Sequence, residues 1–155
     1  MQTKIRLITA FAPQHYRLLL LADPSLRSIT SYLANSSAFE LIYNRHCIGI
    51  IVVQALSPST IEIMNLAIQP KYQGQHLASH LLQFVIDRYS SNTSYERLEI
   101  KTGTTSFEQL YLYQKFGFRC VRILPNYFVN HDLYPEPIYE NHLKLQDAIV
   151  LERSL

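Results

Sequence analysis

Polar and apolar residues alternate from Lys4 to Ile8, the period of a half-buried strand, and Pro13 then opens a helical stretch that runs to about Ala22. Asp23-Pro24 restarts a helix: Asp is a good N-cap, Pro a good first helical residue, and Leu26, Ile29 and Leu33 follow at helical spacing until Asn35-Ser36-Ser37. Three β-rich runs come next, Phe39 to Tyr43, Cys47 to Ala55 and Thr60 to Gln69. The connectors Asn44-Arg45-His46 and Ser57-Pro58-Ser59 are turn material, so the three runs predict an antiparallel meander.

Beyond Pro70 the apolar positions Leu77, Leu81, Phe84, Val85 and Tyr89 have the period of an amphipathic crossover helix. Arg97 to Thr102 predicts another strand. Thr105-Ser106-Phe107-Glu108 has the form of a capping box, with Thr105 as N-cap, opening a second crossover helix that stops at Gly117. Phe118 to Leu124 and Ala148 to Glu152 predict strands on either side of a loop-like stretch from Pro125 to His142. The order β-α-α-β-β-β-α-β-α-β-β, without repeat or linker, predicts a mixed α/β fold in one domain spanning residues 1–155.

Charge and cysteine content narrow the function classes. The 14 basic and 12 acidic residues are scattered, which speaks against the basic stripe that a nucleic-acid surface requires. Cys47 and Cys120 lie in apolar runs and are expected as buried, reduced thiols of a cytoplasmic protein. Leu18 to Ala22 is the longest apolar run, far short of the roughly 20 residues that cross a bilayer, and the N-terminus lacks the apolar region of a secretion signal. Neither nucleic acid nor membrane is an expected partner.

A strand ending at Gln69, a tight segment around Gly74 and then a helix form a unit whose unpaired amides and partial positive charge suit a pyrophosphate, although a purely structural turn reads the same way. The stretch Asn65-Leu66-Ala67-Ile68-Gln69-Pro70-Lys71-Tyr72-Gln73-Gly74-Gln75-His76-Leu77-Ala78-Ser79-His80-Leu81-Leu82 resembles the coenzyme A segment of the GNAT acetyltransferases, Gln/Arg-x-x-Gly-x-Gly/Ala, with His76 where that family most often has glycine. Further on, Ser106-x-x-Gln109-x-x-Leu112-Tyr113-x-Lys115-x-Gly117-Phe118 resembles the family's Asn-x-x-Ala-x-x-Leu-Tyr-x-Lys-x-Gly-Phe, departing at Ser106 and Gln109. The two matches occur in the family's order and, with flanking strands, cover about residues 60–124.

The resemblance implies a central, mostly antiparallel mixed sheet of about six or seven strands flanked by about four helices. It also implies acetyl-CoA as cosubstrate, bound by Leu66, Ala67, Ile68, the turn Gln73, Gly74, Gln75, His76, Leu77, Ala78 and Ser79, and by Ser106 and Tyr113. Tyr113 is implied as the acid that protonates the leaving thiolate, and the backbone N–H of Leu66 as the oxyanion donor. A phenol with a pKa of about 10 suits a thiolate of similar basicity, while the chain's 11 tyrosines make a structural role for any one of them the competing reading.

Glu62 stands in an otherwise apolar strand, where a carboxylate is costly unless solvated or paired. It is a candidate general base, a role that the resemblance also implies, or else a solvent-facing edge residue; Asn65 is expected on the opposite face by strand alternation. His76 and His80 have metal-ligand spacing but no third ligand, so no metal is expected. Asp132, Glu136 and Glu140 form either an acidic lip for a cationic amine or a solvated loop. No cysteine is placed to form an acyl-enzyme, so direct transfer is expected, to a small-molecule or peptide amine. A non-catalytic acyl-CoA-binding module is the alternative, and homodimerisation is left open.

Overall fold

The computed structural model describes residues 1–91 and 94–155. Strand β1 (Lys4–Leu7) leads to helices α1 (Pro13–Ala22) and α2 (Leu26–Leu33), then to the meander β2 (Ser37–Tyr43), β3 (His46–Ser57) and β4 (Thr60–Ile68). A 3₁₀ turn (Pro70–Tyr72) precedes α3 (Leu77–Ser90), followed by β5 (Arg97–Gly103), α4 (Phe107–Lys115) and β6 (Arg119–Leu124). The late segment holds a second 3₁₀ turn (Tyr127–Val129) and a small hairpin, β7 (Ile138–Glu140) with β8 (Leu143–Leu145), before β9 (Ala148–Ser154). The seven expected strands form one sheet in the order β1-β2-β3-β4-β5-β9-β6, antiparallel except where α3 carries β4 over to the parallel neighbour β5. The mixed α/β fold with four helices is therefore the one expected.

Each face of the sheet is closed by a helix pair. Leu81, Leu82 and Val85 of α3 and Tyr113 of α4 pack with Ile48, Ile51, Ile63 and Leu98, while Leu18 and Leu19 of α1 and Ile29 and Tyr32 of α2 pack with Ile50, Val52 and Ala67. The central strands are thus buried on both sides, which is why β3 reads as a continuous apolar run. Each Leu or Ile so buried contributes about 2 kcal/mol of transfer free energy. Polar groups also tie α1 to the sheet: the His15 imidazole meets Glu40 at 3.1 Å, and Arg6 reaches the same carboxylate through two nitrogens, at 2.7 and 2.9 Å. No helix among the described residues is long and apolar enough to cross a membrane.

Several local expectations are corrected. Helix α2 starts after Ser25, whose hydroxyl accepts the Ser28 N–H at 3.0 Å; Asp23 stands outside the helix and accepts from Ser25 N–H and Ser28 Oγ instead. The capping box at Thr105 does not form. Ser106 is the N-cap residue of α4 and donates its hydroxyl to Glu140, and the buried Thr105 hydroxyl has no hydrogen-bond partner among the described residues. Cys120 lies exposed on the edge strand β6, which has no strand beyond it, whereas Cys47 is buried and its thiol is pushed up to about 12, chiefly by desolvation and then by Glu40. Tyr111 is exposed on α4. The hairpin β7–β8 escaped notice because its turn, Asn141-His142, takes positive φ of 50° and 63° without glycine.

Gly117 behaves as expected. At φ 86° it lets Phe118 N–H reach the Tyr113 carbonyl at 3.0 Å and its own N–H reach that of Gln114 at 3.0 Å, a Schellman closure of the helix turn that carries Tyr113.

Candidate active site

The site begins with a divergence in the sheet. β4 pairs with β5 only over Thr60–Ile63 against Arg97–Ile100; beyond that, β4 keeps β3 as its partner and β5 keeps β9. At the point of parting, Val52 opposes Asn65 and Val53 opposes Ile63, so Met64 is extra and β4 bulges. The bulge overturns the expected alternation. Glu62 and Asn65 now line the same cavity, with the Asn65 amide donating to the Leu19 carbonyl at 3.0 Å and to Tyr32 Oη at 3.2 Å.

The Gln69 N–H bonds to the Ile48 carbonyl on β3 at 2.8 Å. Counting back along the ladder, Ala67 and Asn65 also turn their N–H groups toward β3, and that of Leu66 faces the gap left by β5.

Two cavities open on this gap. The first, about 240 Å³, is lined by Leu66, Ala67 and Ile68, by Gln73, Gly74, His76, Leu77, Ala78 and Ser79, and by Leu112 and Tyr113. It brings together most of the residues expected to hold the coenzyme. Gln75 is exposed and outside it, and Ser106 is not part of it either, lying in the second cavity with its hydroxyl on Glu140 at 2.9 and 3.0 Å.

The turn is built for an anion. The Gln73 side chain anchors it by donating to the Ile68 carbonyl at 3.0 Å, and Gly74 (φ 74°) and His76 (φ 61°) take left-handed conformations. No N–H from Gly74 to Ser79 is donated to a protein acceptor among the described residues; the first amide bonded into α3 is that of His80. Six consecutive free amides at the positive end of a helix are the arrangement that favours an anion. The His76 side chain adds no cap.

The second cavity, about 420 Å³, lies between α1, α2, the far ends of β4 and β5, and the late segment. Glu62 is 6% exposed there and is ion-paired with Lys101 of β5, so it is neither an edge residue nor a free carboxylate. The side chains of Asp23, Tyr32, Tyr127 and Tyr134 also line it. Burial raises the Tyr127 phenol above its ordinary value, with Lys101 opposing and Glu62 and Asp23 adding to the rise, which places those charges around one point. Glu140 is the member of the expected acidic lip that lines this cavity; Asp132 and Glu136 are exposed outside it. None of Asp23, Tyr32, Lys101, Tyr127 or Tyr134 is a site residue on the sequence reading, where Asp23 stands only as a helix cap. They come from four stretches, the α1–α2 link, α2, β5 and the late segment that holds both Tyr127 and Tyr134, and share no motif.

Leu66 and Tyr113 line both cavities. Tyr113 is 5% exposed, makes no side-chain hydrogen bond among the described residues, and burial alone holds its phenol well above the usual tyrosine range. A cluster of His15, Glu40 and Cys47 is not a ready metal site: His15 Nδ1 accepts the Ala12 N–H at 2.9 Å, so Nε2 carries the proton given to Glu40 and neither nitrogen has a free lone pair.

Residues 8–118 match the acetyltransferase (GNAT) family model. The uncharacterized N-acetyltransferase YvbK of Bacillus subtilis (strain 168) is 34% identical over 140 residues, 90% of this chain and 88% of that protein. A GNAT family acetyltransferase from Elizabethkingia anophelis, solved with acetyl-CoA bound, is 42% identical with a TM-score of 0.91, covering 99% of this chain and 98% of that one. A structure described as the IAA acetyltransferase from Bacillus cereus is 35% identical with a TM-score of 0.91, over 99% of this chain and 100% of that one. With the free-amide turn, the parted strands and these likenesses, the chain belongs to the GNAT family of acetyltransferases.

Proposed function

We propose that this protein moves the acetyl group of acetyl-CoA directly onto a primary amine of a small molecule or peptide. The observation that carries the reading is the meeting of the two cavities at Leu66 and Tyr113. Acetyl-CoA, the ligand seen in the Elizabethkingia relative, lays its pyrophosphate on the Gly74 to Ser79 amides and brings its thioester to that junction from one side. The amine arrives from the other.

An ammonium cannot attack. Glu62, on the acceptor side, takes its proton and passes it to solvent, with Lys101 as its counter-charge. The nitrogen lone pair then forms the C–N bond, and the carbonyl oxygen gains a negative charge that the Leu66 N–H is turned to receive. The C–S bond breaks, the sulfur takes the Tyr113 proton, and the proton shed by the acylated nitrogen restores the phenol. Charge and atoms balance as ammonium plus thioester giving amide, thiol and one released proton. No step calls for a metal or an acyl-enzyme.

The test is isothermal titration of acetyl-CoA into wild type and a Gly74→Pro variant, beside an amine-acetylation assay. Proline cannot adopt φ 74°, so binding is expected in wild type and lost by at least about tenfold in the variant, which would remain folded by circular dichroism. Equal binding in both would remove the coenzyme from this turn.

A further inference from the structure

The two cavities meet at a neck of five residues. Leu66 and Tyr113 are joined there by Leu21 and Ala22, the last two residues of α1, and by Gln109 in the first turn of α4. Gln109 precedes Tyr113 by one helical turn, so both side chains leave the same face of α4.

Gln109 is the polar exception in this neck. Leu21, Ala22 and Leu66 are aliphatic and Tyr113 offers one buried phenol, whereas Gln109 is exposed, lines both cavities, and brings a carboxamide with no hydrogen-bond partner among the described residues. Its donors and acceptor are left to water, or to whatever enters the neck.

The three substituents of a thioester carbon lie in one plane. With the sulfur toward Tyr113 and the oxygen toward the Leu66 N–H, the acyl chain is left the third direction, between the end of α1 and Gln109. The amine attacks out of that plane, from the second cavity. An acetyl methyl asks for little room there. Each further methylene has to lie against Gln109 and strip water from a carboxamide that the protein does not satisfy, a loss larger than the burial of a methylene returns.

Resting on the acetyltransferase reading above, we infer that Gln109 limits the donor to short acyl groups, so that it is the specificity-determining residue against longer acyl-CoA thioesters. Alanine at this position, which the motif resembled by α4 carries, leaves the helix intact while it clears the neck.

The experiment is isothermal titration of acetyl-CoA and of hexanoyl-CoA into wild type, Gln109→Ala and Gln109→Met. Hexanoyl-CoA is expected to bind wild type at least about tenfold more weakly than acetyl-CoA, the gap narrowing to about threefold or less in at least one variant. Acetyl-CoA affinity should stay within about twofold of wild type in both variants, because the anion-binding amides are untouched. Equal binding of the two thioesters by wild type, or a gap unchanged in both variants, would overturn the inference and leave the acetyltransferase reading standing. Wild type that binds neither thioester would sink that reading, and the limit on chain length with it.

Discussion

Lys101 on β5 and Glu62 on β4 form an ion pair at the point where the two strands separate, in the wall of the second cavity. The pair holds a carboxylate in a site that would otherwise expel it. In the proposed mechanism Glu62 is the base, and removing a base should cost about 100-fold in kcat/KM, so Glu62→Gln is expected to lose that much with acetyl-CoA affinity unchanged. Lys101→Met strands a buried carboxylate and should cost about 2 kcal/mol of stability. The double variant should recover most of that stability while remaining slow, a pattern that urea denaturation and steady-state kinetics read separately.

Tyr113 packs its ring against Phe118, centroids 6.0 Å apart, and burial keeps its proton on. Tyr113→Phe retains that packing and removes only the hydroxyl. kcat should fall on the order of 100-fold with the acetyl-CoA dissociation constant within about twofold of wild type. An unchanged kcat would mean that the thiolate leaves without this acid.

His76 takes φ 61° with no side-chain hydrogen bond among the described residues to repay it. A left-handed non-glycine residue costs about 1 kcal/mol, part of which glycine gives back through the freedom of the unfolded chain. His76→Gly is therefore expected to leave the melting temperature the same or slightly higher. In the proposed binding mode the backbone amides carry the phosphate, so titration should find acetyl-CoA affinity changed by less than about threefold; a much larger loss would show that the imidazole itself holds the phosphate.

Burial acts to raise the Glu40 carboxyl, but hydrogen bonds from His15 and Arg6 and the charge of Arg6 outweigh it and leave the group below the usual carboxylate value. A carboxyl lowered on folding stabilises the protein above its unfolded pKa of about 4.3, and that contribution is lost as pH falls through the folded value. Melting temperatures measured from pH 7 downward should drop on entering that range in wild type, and less steeply in Glu40→Gln, which starts about 2 kcal/mol less stable at neutral pH.

How far the sequence could be read depended on how local each signal is. The helices α3 and α4 and the meander β2–β4 follow from periodicity, and Gly117 from the helix it ends, because each involves residues a few positions apart. The start of α2 was misplaced because Ser25 and Asp23 are both good caps and only Ser28, one turn on, decides between them. Alternation put Asn65 on the wrong face because a bulge at Met64 leaves no mark in the residue pattern; it arises where β5 turns away to pair with β9.

By itself the sequence determined the order of the four helices and of the seven strands of the main sheet, and the tight turn between β4 and α3, all set by neighbours along the chain. Only the tertiary structure decided what lines the second cavity. Lys101 against Glu62, and Asp23 joined to Tyr134 across 111 residues, are long-range pairings made when strands part and a late segment folds back over α1 and α2. Charge balance in a cavity is a sum over segments that have no contact until the chain is packed.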